Sequence, residues 1–344
     1  MAVATPAAQA GAKGPKKKVK EWKSPDEGQG KLAAIMLSPT FLVLILVIGL
    51  PILLGIRQSF YTSGGLDANG FVVEGDQWAG LKNYTAIFNG ASASRFWNAF
   101  YVTNFFTVIC VAIEVVIGVA MALIMNRAFK GRALIRASIL VPWAIPTVVS
   151  AVLWKWIFNA DGVANQLLHK QVLWSTDGLQ AQMAVIIADT WKTAPFIGLL
   201  VLAGLQVIPE EVYEAAKIDG SSAWNSFLHI TLPLVKPALL VAVLFRILDN
   251  LRMFDLPFVL IGKGKPSVET LSILAQQESV NTRYGPAAAY AVLLFIYLVI
   301  VAYAFIKLLG ADVIGDARSA SKTKKVKGRP RSKVGRSTAK GDTP

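Results

Sequence analysis

Polar residues are sparse along this chain, and they fall in clusters. Between the clusters lie apolar runs at about 32–56, 100–125, 133–158, 183–208, 234–261 and 287–309. Each covers roughly 20 residues or more, enough at about 1.5 Å per residue to cross a hydrocarbon core of about 30 Å. The pattern predicts an all-α integral membrane protein with six transmembrane helices. Six crossings return the chain to the side on which it starts. The linker from Arg127 to Arg132 carries Arg127, Lys130 and Arg132 and no acid, the signature of a cytoplasmic loop. That sets both termini and the 209–233 loop in the cytoplasm. The segments 57–99, 159–182 and 262–286 then face outward.

The 209–233 loop has its own internal grammar. Pro209 suits the first helical position, and Glu210 and Glu211 fall in the first turn, where the helix dipole favours carboxylates. Glu214, Ala215 and Ala216 continue a short helix. Gly220 is placed to end it at a positive φ, and Ser221 or Ser222 to cap a second one. Pro233 opens the next apolar run. Two short helices joined at a glycine make a knob rather than a pocket.

Charges inside the spans call for an explanation, since each costs at least about 2.5–3.5 kcal/mol at the bilayer centre unless paired or wetted. In the fourth span Asp189, Lys192, Thr193 and Phe196 sit at i, i+3, i+4 and i+7 and share one helix face. The fifth repeats that spacing with Arg246, Asp249, Asn250 and Met253, and Arg252 lies nearby. In the third, Trp143 and Thr147 are four apart, beside Pro142 and Pro146, which free backbone groups for hydrogen bonding. Donors, acceptors and an aromatic plate at membrane depth suit a sugar. The alternative is that Asp189–Lys192, Arg246–Asp249 and Asp249–Arg252 neutralise one another as pairs within helices. Glu114, in the second span, is either buried between helices or part of the path.

Composition narrows the class. With 54% hydrophobic residues, 16% charged and a mean hydropathy of +0.50, the chain is no soluble globular domain. A single cysteine, Cys110, excludes a disulfide framework, and with His169 and His229 it assembles no zinc site. The net charge of +14 belongs mostly to the tails. Residues 1–31 hold seven basic residues against three acids, and residues 311–344 hold ten against three. Both read as basic, disordered cytoplasmic tails that meet anionic lipid rather than nucleic acid. The first is not expected to be a signal peptide. Gly262 to Ser267 lacks the spacing of a phosphate loop, so no ATP hydrolysis is expected of this chain. A secondary carrier would need an inverted repeat or a second six-span half. A membrane enzyme would need more histidine, cysteine and clustered carboxylate than the chain offers.

Glu214-Ala215-Ala216, Gly220 and Ile230-Thr231-Leu232-Pro233 together spell E-A-A-x3-G-x9-I-x-L-P. That pattern resembles the signature loop of permease subunits of binding-protein-dependent, ATP-driven (ABC) sugar importers. The resemblance implies that the loop, through Glu214, Ala215, Ala216, Asp219 and Gly220, docks into a cleft of an ATPase subunit. Residues 142–147 and 189–196 are similar to the P-[YW]-A-[VI]-P-[ST] and [ND]-T-W-x3-P-[FY] motifs of maltose-type permeases. By that likeness the substrate pathway takes in Trp143, Thr147, Asp189, Lys192, Thr193 and Phe196, and the face carrying Arg246, Asp249, Asn250 and Met253. The chain departs from the maltose type in having Asp189, Lys192 and Arg246 where that site is neutral. Similar charges recur in trehalose- and maltose-type permeases of high-GC Gram-positive bacteria.

The likeness spans about residues 32–310. It implies a non-enzymatic subunit of the cytoplasmic (inner) membrane that moves a disaccharide of the trehalose or maltose type by alternating access. Its implied partners are two ATP-binding subunits, a second permease subunit, an extracytoplasmic sugar-binding protein and membrane lipid. ATP and magnesium would be held by the ATP-binding subunits, with no cofactor in this chain. The alternative is glycerol-3-phosphate or another anionic substrate, with Lys192, Arg246 and Arg252 as the anion's partners.

Overall fold

The computed structural model describes residues 29–327, apart from 63, 64, 67–71 and 74. The basic tails expected at 1–31 and 311–344 therefore lie largely outside the described residues. The chain divides into two compact units, residues 1–54 and 55–344. Helix α1 (Leu32–Ser59) runs through the described part of the first unit and passes one π-helical turn at Ile45–Gly49. Leu32, Met36, Phe41 and Leu53 are among its exposed apolar side chains.

The regular structure of the described residues of the second unit is helical apart from two two-residue antiparallel ladders, Tyr61–Thr62 with Gln77–Trp78 and Gly65–Leu66 with Val72–Val73. Its long helices are α2 (Gly90–Asn126), α3 (Leu179–Leu205), α4 (Ala223–Leu251) and α5 (Tyr284–Lys327). Helix α3 is the central one: 67% of its apolar window is buried, against 17% for α4 and for α5. It is apolar on nearly all sides, as a helix surrounded by others must be. Val185, Ile197, Val201 and Leu205 project from it into two of the buried apolar clusters.

Glycine sets the spacing of α2 against α3. A methyl group added at Gly118 of α2 would meet the Ile197 side chain at 2.8 Å, and one at Gly198 of α3 would meet the Gly118 carbonyl at 3.2 Å. Without those methyls the two backbones close up. Glu114, one turn before Gly118, is thereby pressed onto the α3 face carrying Asp189 and Thr193.

Two expected spans differ from the straight helices that hydropathy suggests. The run at 133–158 is a pair of helices, Arg132–Ala144 and Thr147–Ile157, bent by 96° at the break. Ile145 is extended ahead of Pro146 (ψ 133°), the conformation a following proline enforces. Neither half, at roughly 20 Å or less, crosses a bilayer core alone. The run at 234–261 shifts toward the N-terminus. Helix α4 begins at Ala223 and ends at Leu251, and a separate short helix covers Asp255–Leu260. Among the described residues, five helices are thus long and apolar enough to span, or six if the bent pair is one span. At the C-terminal end, residues 311–327, expected as disordered tail, continue the helical backbone of α5.

Candidate functional site

The short helix Glu210–Ile218 forms where the loop's pattern places it, with Glu210 and Glu211 in its first turn. Pro209 is the residue before the first helical turn rather than within it (φ −62°, ψ 143°). Asp219 caps the C-terminus and Gly220 follows at φ +74°, the left-handed conformation a glycine adopts without strain. The Ser221 N–H donates to the Ala216 carbonyl at 2.9 Å, closing the turn. Ser222, of the two candidate serines, is the cap: its Oγ accepts from the Asn225 N–H at 3.2 Å. Glu214, Ala215, Asp219 and Gly220 are exposed, while Ala216 turns inward.

The second helix of the knob is not a separate piece. It is the first turn of α4, joined through a π-helical turn at Phe227–Thr231, so Pro233 lies within a continuous helix. Tyr213 ties the two helices together, its hydroxyl 3.3 Å from Thr231 Oγ1. The knob also displays large apolar side chains: Val207 is 81% exposed, Ile218 86% and Trp224 69%.

The second constellation lies halfway along α3, at the end of α4 and at the break between residues 144 and 147. Arg246 is its centre. Its Nε and Nη2 donate to Glu114 Oε2 and Oε1 at 2.7 and 2.9 Å. Nη2 also reaches Asp189 Oδ2 and Asn250 Oδ1, each at 3.1 Å, and Nη1 donates to Asp249 Oδ2 at 2.6 Å. Arg252 binds the other oxygen of Asp249 at 3.2 Å. Three helices thus converge on one guanidinium whose donors are almost all taken by protein. Glu114 is fully buried and Arg246 nearly so.

Two hollows flank this network. One, of about 250 Å³, is lined by Asp189, Asn250 and Met253 and by Thr147 at the head of the second half of the bent pair. The other, of about 230 Å³, is lined by Trp143, Phe196, Phe245 and Arg246. Lys192, Thr193, Asp249 and Arg252 line both. Trp143 stacks on Phe196 at 5.8 Å between ring centroids. All ten residues of the sequence-derived pathway therefore border one hollow or the other.

The pairing differs from the intrahelical pairs read from spacing. Arg246–Asp249 and Asp249–Arg252 are present, but Asp189 turns to Arg246 on another helix. Lys192, only 8% exposed, makes no ion pair or hydrogen bond to any described residue. Asn250 Nδ2 is likewise buried without a partner. Thr193 Oγ1 lies 2.7 Å from Glu114 Oε1 and 2.6 Å from the Asp189 carbonyl, both acceptors, so its one proton is committed and the oxygen is left to accept. Glu114, which spacing left unassigned, is the residue that ties the cluster together. Its signal in the sequence was a lone carboxylate in an apolar span.

A helical membrane protein whose polar cavity sits between a central span and a bent pair has the architecture of a permease subunit. Residues 114–315 match the family described as the binding-protein-dependent transport system inner membrane component, and the chain belongs to that family. Members of the family are ABC importer permease subunits, which are not catalytic by themselves. Among its relatives, the trehalose/maltose transport system permease protein MalF of Thermococcus litoralis is 38% identical over 81% of this chain and 94% of that protein. The trehalose transport system permease protein SugA of Mycobacterium tuberculosis is 36% identical over 84% of this chain and 92% of that one. The fold is shared with a chain of a bacterial ABC transporter that imports the acidic polysaccharide alginate, at a TM-score of 0.71 and 20% identity over 83% of this chain and 97% of that chain.

Proposed function

We propose that this permease subunit moves an uncharged disaccharide of the trehalose or maltose type through the paired hollows around Lys192 and Thr193. The observation that carries this reading is the split of unused hydrogen-bonding capacity between donors and an acceptor. Lys192 and Asn250 Nδ2 have protons to give, and Thr193 Oγ1 has lone pairs to offer. A hydroxyl both gives and accepts, so a polyol satisfies all three. The stacked Trp143–Phe196 pair supplies a flat apolar surface for the face of a pyranose ring. The names of the relatives in Thermococcus litoralis and Mycobacterium tuberculosis point to the same class of sugar. An anionic substrate is less well served, because Arg246 spends its donors on Glu114, Asp189, Asp249 and Asn250.

In this reading an extracytoplasmic binding protein delivers the sugar, and a second permease subunit completes the pathway. Two ATP-binding subunits drive the change of access by gripping the Glu210–Ile218 knob. The knob and both termini lie in the cytoplasm, as the basic Arg127–Arg132 linker argues. Its exposed Ile218 and Trp224 suit burial in a protein cleft, and Glu214 suits a basic residue there.

One comparison tests both halves. Lys192→Met is expected to lower uptake of radiolabelled trehalose by about tenfold or more in reconstituted vesicles, the scale of one lost charged hydrogen bond. It should leave co-purification of the ATP-binding subunits intact. Gly220→Val forces a β-branched residue into φ +74°, and Glu214→Lys reverses a charge. Both are expected to weaken co-purification and sugar-stimulated ATP hydrolysis together. Wild-type uptake by Lys192→Met would remove the hollows from the path; undiminished association of both knob variants would remove the knob from the coupling.

A further inference from the structure

We propose that Glu114 sets the electrical sign of the solute cavity, and thereby makes the permease select uncharged sugars over anionic ones. The inference rests on the reading of the paired hollows as the solute path. Glu114 borders neither hollow. It is fully buried behind them and acts through two residues that do border them, accepting from Arg246 and from Thr193.

The charges facing the hollows explain why a hidden carboxylate matters there. From α3 come Asp189 and Lys192, and from α4 and the turn after it come Arg246, Asp249 and Arg252. Asp189, Lys192 and Arg246 are the buried ones, and alone they leave one positive charge in excess, an attractive field for an anion in a water-poor site. Glu114, reaching in from α2, brings the buried set to two carboxylates against two cations. Asp249 and Arg252, and Asp255 beside the larger hollow, are exposed, so water screens their charge. Glu114 has a second effect by the same bonds. With the Asp189 carbonyl it holds the Thr193 proton away from the cavity, so Thr193 faces solute as an acceptor, which a carboxylate or phosphate oxygen cannot satisfy.

The test is equilibrium binding to the complete importer complex in lipid nanodiscs. The two probes are radiolabelled trehalose and the monocarboxylate of the same size, in which one hydroxymethyl group is oxidised. Glu114→Gln preserves shape and one acceptor while removing the charge. It is expected to shift the ratio of the two dissociation constants toward the acid by about tenfold, the scale of one charge acting at short range in a protein of moderate effective dielectric. Arg252→Gln, at an exposed cation of the same network, is expected to shift the ratio the opposite way by a smaller factor, because water screens it. The double variant Glu114→Gln/Arg252→Gln is expected to move it part of the way back toward the wild-type value, which a purely structural role for Glu114 would not produce. If Glu114→Gln fails to assemble, Asp249→Asn removes a carboxylate from a half-exposed position and is expected to shift the ratio in the same direction by a smaller factor. Trehalose binding with an unchanged ratio in these variants overturns the charge-setting role and leaves the sugar reading in place. No binding of either probe by the wild-type complex overturns the reading of the hollows, and this inference with it.

Discussion

Two arginines organise two ion clusters in this molecule, and their surroundings could hardly differ more. Arg246 is 4% exposed and gathers carboxylates from three helices. Arg95, near the start of α2, is 41% exposed. It grips Glu269 through Nη2 at 2.6 Å and Nε at 2.9 Å, and it also donates to the Gln277 side chain. A second arginine, Arg283, closes that cluster on Glu278 at 2.9 Å. Both clusters pin helices together. The difference is what water does when a member is lost. Around Arg95 solvent replaces the missing charge; beside Arg246 the carboxylates of Glu114 and Asp189 are buried, so solvent makes up far less of it.

Arg246→Leu is the severest way to break that contrast. It leaves Glu114 buried beside Asp189 without the cation that bridges them, at a cost of about 3–5 kcal/mol. A large drop in thermal stability of the detergent-solubilised protein is expected. Glu114→Gln/Arg246→Gln should recover much of it, because the charges leave together. A double variant as unstable as Arg246→Leu alone would mean that packing, not charge, holds the site.

Arg95→Ala is expected to cost far less, about 1 kcal/mol after screening by solvent. Its deficit should shrink in high salt, as exposed pairs do. The Arg246→Leu deficit should not, and stability measured across ionic strength separates the two.

The smallest effect lies at Asp177, just before α3. Ser267 donates to Asp177 Oδ1 from its hydroxyl and its backbone N–H, holding that carboxylate below the ordinary aspartate range. A carboxylate with a depressed pKa contributes stability above its unfolded pKa of about 4, lost as pH falls through the lower folded value. Asp177→Asn is therefore expected to flatten the acid end of the stability profile by a few tenths of a kcal/mol at most, given its exposure. Unfolding followed from pH 5 downward checks it.

Much of this was legible in the sequence wherever one helix decides the matter. Spacing alone put Asp189, Lys192, Thr193 and Phe196 on one face, and a glycine in the right place announced the end of the loop helix. What spacing cannot report is which helix lies opposite. Asp189 and Lys192 looked like a pair because they are one turn apart, yet Asp189 serves an arginine from another span and Lys192 forms no ion pair with any described residue. The partnership of Glu114 with Arg246 is 132 positions long and rests on a glycine contact that closes α2 against a third helix, α3. Proline was readable as a disturbance but not in its size. Pro146 broke a span by 96°, whereas Pro233 was absorbed, its missing donor falling beside the π-helical turn at Phe227–Thr231.

That absorbed proline leaves one unbroken rod from Ala223 to Leu251, 29 residues or roughly 43 Å long. Trp224 sits at one end, and Arg246, Asp249 and Asn250 at the other. A rod of that length converts angle into travel: a tilt of about 10° about one end carries the far end through about 7 Å. No relay of small side-chain movements is needed between the two. The place where such a lever flexes is its widened turn, Phe227–Thr231, three residues from Trp224.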